Sequence, residues 1–164
     1  TVIVTHDAEE ALRVGDHVAL IRDGKLVQYG TAQDLYYRPN SLFAAAFFSE
    51  INVIPTLKKS KSITTVFGDV ECPKQFAEME CKLCAAIRNT DIAVSPYKNN
   101  HKGRPGRIVE RRFIGTSELL EIMIDGLDDP VNIRVKADDL PQDISMVSLD
   151  VDLTHLMIFE DDNE

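Results

Sequence analysis

The sequence predicts an α/β segment over residues 1–52 followed by an all-β domain over residues 53–164, of small-barrel or sandwich type. Two observations carry this expectation. Up to Phe48 the apolar residues fall at helical spacing in places, with Leu42, Phe43, Ala46 and Phe47 the clearest case. From Val53 onward the apolar stretches shrink to about four to eight residues and are broken by turn residues. The change falls between Ile51 and Pro55, and a domain boundary there is the simplest account.

The first predicted element is the β-branched strand Val2–Val4, which runs into Thr5-His6-Asp7. The chain opens in mid-strand without methionine and so reads as a fragment of a longer protein; nothing in it has the pattern of a secretory signal. Asp7 and Glu10 have the spacing of a capping box, and Ala8, Ala11, Leu12 and Val14 continue a helix. His6 is thereby expected on a loop between the C-terminal end of a strand and a helix N-terminus, where α/β folds place ligand chemistry. Val18–Ile21 and Leu26–Tyr29 flank Asp23-Gly24, a strong two-residue hairpin signal. Gly30-Thr31 caps a short helix through Tyr37 that stops before Pro39, and Asn40 or Ser41 opens another through about Phe48. Beyond the boundary, strands are expected near 53–58, 62–68, 83–88, 91–95, 107–113, 118–125, 130–136, 145–152 and 155–159, with Glu160–Glu164 a frayed acidic tail.

A formal charge of −9 argues against nucleic acid or an anionic lipid surface as the main partner, since both need clustered cations. The one basic cluster, Lys102, Arg104, Arg107, Arg111 and Arg112, reads as a solvated loop and the start of a strand. Stacking on single-stranded nucleic acid is further disfavoured by the absence of tryptophan. Apolar runs such as Leu42–Phe48 are far shorter than the roughly 18 residues that mark a membrane-spanning helix. Three cysteines, Cys72, Cys81 and Cys84, make a poor disulfide framework and fit a reducing compartment. Cys81-Lys82-Leu83-Cys84 has the spacing of half a zinc site, but no second pair follows, so these read as buried or strand-edge thiols and no metal is expected.

Taken in order, the strand, Thr5-His6-Asp7, Glu9-Glu10-Ala11, the Asp23-Gly24 hairpin and Gly30-Thr31 closely resemble the end of the ATP-binding domain of ABC transporters. The resemblance maps the family's switch histidine onto His6, which would reach the γ-phosphate of ATP and the attacking water. Asp7, with Glu10, would cap the helix and orient the loop. An imidazole suits that role, because it can donate to a developing phosphate charge and position water without being the principal base. Asp34-Leu35-Tyr36, Arg38-Pro39, Phe43–Phe48 and Ile51-Asn52-Val53 look like the closing helices of importer ATPases for maltose, sulfate, polyamines or ferric iron. Ala86–Ile92, Gly106–Val109 with Arg112–Gly115, and His155–Phe159 resemble the transport-associated OB-type barrel that follows in such importers. Asn89-Thr90 departs from that family's usual proline and glutamate, and its glycine is absent at Gln142-Asp143.

No G-x-x-x-x-G-K-[ST] phosphate loop is present, nor the signature and Walker B motifs. Without amides to cradle the phosphates or carboxylates to hold Mg2+, this chain alone is expected neither to hydrolyse ATP nor to bind it tightly. The resemblance implies that the intact subunit uses ATP and Mg2+ and pairs with a second ATPase subunit. It would serve transmembrane permease subunits, and through them a substrate-binding protein, at the cytoplasmic face of the inner membrane. On Glu50–Val53 and Gly126–Pro141 the resemblance leans to ferric iron, with polyamine and sulfate importers close behind. The alternative from another class is a stand-alone OB-like interaction or effector-binding module with no catalytic role.

Overall fold

The computed structural model describes residues 1–98 and 103–161; Lys102 of the basic cluster and residues 162–164 of the acidic tail lie outside the described residues. Two compact units meet in sequence between Glu50 and Ile51. The chain is mostly β-sheet with few helices.

The first unit holds α1 (Ala8–Val14), β1 (Val18–Arg22), β2 (Lys25–Gly30), α2 (Ala32–Tyr37) and α3 (Leu42–Phe48). β1 and β2 pair antiparallel with an irregularity between Leu20 and Ile21. Their turn places Asp23 at φ 51° and Gly24 at φ 74°, the doubly left-handed geometry that matches strand twist and that Asp-Gly adopts at little steric cost. α2 begins with a full capping box: the Asp34 N–H donates to Thr31 Oγ1 at 3.2 Å and the Thr31 N–H donates to Asp34 Oδ2 at 3.3 Å. α3 opens on Ser41, whose hydroxyl accepts from the Ala44 N–H. These elements bury Leu20, Leu35, Ala44 and Phe48, with Ala8 and Leu12 of α1 packed against them.

The expected strand Val2–Val4 is not formed. Among the described residues the only sheet in this unit is the self-contained β1–β2 hairpin, so residues 2–4 have no ladder to join. Val2 and Val4 are more than nine-tenths exposed. A backbone without a pairing partner gains nothing from the extended form. The unit is thus three short helices and a hairpin rather than an α/β sheet.

The second unit carries β3 (Ile51–Pro55), β4 (Leu57–Lys58), β5 (Ser62–Thr65), β6 (Gly68–Glu71), β7 (Leu83–Arg88), β8 (Ile92–Pro96), β9 (Arg104–Phe113), β10 (Ser117–Ile124), β11 (Val131–Lys136), β12 (Met146–Val151) and β13 (Met157–Glu160). They form antiparallel sheets ordered β11-β10-β9-β12-β8, β13-β7-β3 and β4-β5-β6. The five-stranded sheet is a curled half-barrel, compatible with a β-barrel domain. β10 alternates strictly, turning Glu118, Leu120, Ile122 and Ile124 inward. Those aliphatic residues meet Ile54, Ala85, Ile87, Val131, Ile133, Val147 and Leu149 in one core. β7 is buried along its whole length, as its unbroken apolar run Leu83–Ile87 requires of a strand covered on both faces.

The expected strand at 62–68 breaks after Thr65. The Thr65 hydroxyl accepts from the Phe67 and Gly68 N–H groups and donates to the Gly68 carbonyl, closing a turn at which Gly68 takes φ 145°. β6 follows as an element the sequence reading lacks. Gly106 is a close approach: a Cβ there would lie 2.6 Å from both Ile122 Cγ2 and Leu149 Cδ1.

Candidate functional site

The sequence points to the loop before α1, and its local geometry is well defined. Asp7 is the N-cap, in extended backbone at φ −95° and ψ 116°. Its Oδ1 accepts from the Glu10 N–H at 2.9 Å, and its carbonyl accepts from the Ala11 N–H at 3.1 Å. The box expected from Asp7 and Glu10 is one-sided. The Asp7 N–H donates instead to Thr5 Oγ1 at 3.1 Å, two residues back. A threonine hydroxyl reaches that amide over a shorter loop than the Glu10 carboxylate would, and it satisfies an otherwise orphan donor.

His6 lies between these two anchored residues. It is exposed, and among the described residues its imidazole makes no hydrogen bond or ion pair. Both ring nitrogens are thus open to donate to or accept from a ligand. Glu9 and Glu10 place negative charge in the first turn of α1 and Arg13 places positive charge in its last, both favourable to the helix dipole. The remainder of the unit is held by side chains rather than by chemistry. Gln28 Nε2 donates to the Arg38 carbonyl, the Asn40 N–H donates to Gln28 Oε1 and Asn40 Nδ2 donates to the Val27 carbonyl. The Arg22 guanidinium sits 4.6 Å over the Phe43 ring.

The structure therefore brings His6, Asp7 and Glu10 together at one helix start and adds Thr5, to which sequence reasoning gave no role. The available signal was a hydroxyl two residues before an N-cap aspartate. No group of three metal-ligating side chains assembles among the described residues. The described residues do not fit a Mg2+ site or a phosphate cradle.

In the second unit, the basic cluster divides. Arg112 is exposed and pairs with Glu110 at 2.6 Å. Arg111, expected to be solvated, is instead mostly buried, and its Nε and Nη2 each donate to Glu118 Oε2 at 2.9 Å. Among the described residues the cysteines form no disulfide, and Cys72 and Cys84 are buried. Two recesses of about 460 and 440 Å³ lie in this unit, the first lined by residues such as Thr64, Phe67 and Arg104, the second by Asn52, Asp128, Asp129 and Asp161. Among the described residues no helix is long and apolar enough to cross a membrane.

No protein-family model matches the sequence. The chain is similar to spermidine/putrescine import ATP-binding protein PotA of Haemophilus influenzae, 34% identical over 123 residues, covering 70% of this chain and 33% of that protein. The corresponding protein of Acetivibrio thermocellus is 35% identical over 130 residues, covering 77% and 36%. That of Escherichia coli K12 is 37% identical over 124 residues, covering 70% and 32%. By these similarities the chain belongs to the ABC importer ATP-binding subunits, as a C-terminal region. The chain spans about a third of the length of these relatives.

Proposed function

We propose that the chain serves as the C-terminal part of the ATP-hydrolysing subunit of a polyamine importer, with His6 as the switch histidine that contacts the γ-phosphate of ATP and the attacking water. The observation that carries this reading is a solvent-facing, unpartnered imidazole held between two anchored residues at a helix start, in a chain similar to import ATP-binding proteins. Asp7 caps α1 by accepting the Glu10 N–H and keeps the loop in place. Residues 1–52 act as the end of the nucleotide-binding domain and residues 53–164 as an OB-like regulatory or dimerising domain.

Polyamine replaces the ferric iron suggested by Glu50–Val53 and Gly126–Pro141, because the relatives above are named for spermidine and putrescine. Those segments offer no physical handle on the cargo, which an ATPase subunit does not touch. The intact subunit would use ATP with Mg2+ supplied by residues outside this chain. It would close against a second copy and drive permease subunits at the cytoplasmic face of the membrane, fed by a substrate-binding protein. The stand-alone-module reading is not favoured, since the Acetivibrio match covers more of the chain than either unit holds.

The test is ATP turnover by the full-length subunit carrying His6→Ala. The reading expects kcat to fall at least about a hundredfold, the scale on which loss of one group that stabilises charge or positions a nucleophile is felt. Near-normal turnover would sink it.

A further inference from the structure

The His6 imidazole has no side-chain partner among the described residues, so the anchoring of its own backbone is what limits where the ring can reach. That backbone is fixed on both sides. Asp7 is tied to α1 through the Glu10 and Ala11 N–H groups. Thr5 is tied to Asp7 by the bond from the Asp7 N–H to its hydroxyl, and it is the one residue of 1–7 that is partly buried rather than exposed. His6 is the single residue bridged by that bond.

We infer that Thr5 is a positioning residue for His6: its hydroxyl, by accepting the Asp7 N–H, closes a turn around His6 alone and fixes the direction in which the imidazole is presented. This rests on the reading of His6 given above. The hydroxyl is the operative group, since a valine keeps the β-branched shape of threonine and removes only the acceptor. Serine keeps the acceptor and removes only a methyl group. Misplacement of a reacting group by about 1 Å can lower a rate by as much as a hundredfold, and loosening one turn is expected to fall short of that limit.

The experiment compares Thr5→Val, Thr5→Ser, His6→Ala and the Thr5→Val/His6→Ala double variant in the full-length subunit. Thr5→Val is expected to lower kcat about tenfold with KM for ATP within about twofold, and Thr5→Ser to restore most of the loss. The double variant should be no slower than His6→Ala alone, because a positioning effect vanishes with the group it positions. In the 164-residue chain, Thr5→Val should speed hydrogen exchange at the Asp7 amide about fivefold, as loss of one hydrogen bond implies, while the Glu10 and Ala11 amides stay protected. Should Thr5→Val fail to fold, Thr5→Ala is read in its place. Wild-type kcat in Thr5→Val alongside a collapsed His6→Ala would overturn the inference and leave the reading of His6 standing. Normal turnover in His6→Ala would overturn both. Unchanged exchange at Asp7, or a double variant much slower than His6→Ala, would also overturn the inference.

Discussion

Replacing Arg111 by methionine strips a buried carboxylate of its main counter-charge. The Glu118 side chain is 5% exposed and that of Arg111 16%, on the inner side of β9 and β10. Beyond its two bonds to Glu118, Arg111 donates from Nη1 to the Pro141 carbonyl at 2.8 Å and from Nη2 to the Leu140 carbonyl at 3.1 Å. The guanidinium therefore staples the segment before β12 onto the sheet. Gln142 Nε2 would remain as the Glu118 partner at 2.8 Å, a neutral donor facing an ion. Leaving one charge of a buried pair uncompensated costs about 3–5 kcal/mol. The exposed Pro141 can turn its carbonyl to water and adds little, whereas Leu140 is buried and its carbonyl adds about 1 kcal/mol. Replacing both partners, Arg111→Met with Glu118→Leu, removes the orphan charge and is expected to cost less than about 2 kcal/mol. Urea unfolding of the 164-residue chain followed by far-ultraviolet circular dichroism measures Arg111→Met, Glu118→Leu and the double variant. A cost under about 1 kcal/mol for Arg111→Met, or a double variant as unstable as the sum of the singles, would show that the pair is not a buried ion pair of this kind.

Two further expectations concern stability. The Thr31 hydroxyl, followed by its backbone N–H, holds the Asp34 carboxyl below the usual carboxylate range. A depressed carboxyl stabilises the folded state above its ordinary titration range, and that contribution is lost as pH falls through the folded value. Thr31→Val should move the Asp34 titration, followed by carbon-13 NMR of the carboxyl, upward toward the ordinary aspartate range; an unmoved titration contradicts the capping-box account. Gly106→Ala forces a methyl group against Ile122 and Leu149 and should cost about 1–3 kcal/mol by thermal denaturation, whereas a stability within about 0.5 kcal/mol of the parent would show that the two strands have room to part.

What could be read from the sequence was local. The Asp23-Gly24 hairpin, the Thr31 and Ser41 caps and the alternation of β10 each depend on residues a few positions apart, and each formed. What could not be read depended on partners distant in sequence. Val2–Val4 has strand chemistry but nothing to pair with among the described residues. Val66 and Phe67 continue an apolar run, yet the Thr65 hydroxyl turns the chain there. Arg111 looks like one more surface cation until the β9–β10 register is known. Arg111 stands opposite Leu120 and reaches Glu118 diagonally, two residues along β10 in a stretch of regular register. The candidate site lay between these cases. His6, Asp7 and Glu10 are adjacent in sequence and were legible together, whereas the Thr5 bond appeared only once the loop's amides were followed to their acceptors.

The proposed role, in a polyamine-importing ATPase where His6 takes part in ATP use, stands or falls with cargo uptake. Its most direct test is uptake of labelled spermidine by vesicles holding the full-length subunit with its permease, with labelled ferric iron as the competing cargo. ATP-driven spermidine uptake that His6→Ala abolishes, with no iron uptake, is the expected result. Spermidine uptake that survives His6→Ala, or iron carried in place of spermidine, would contradict it.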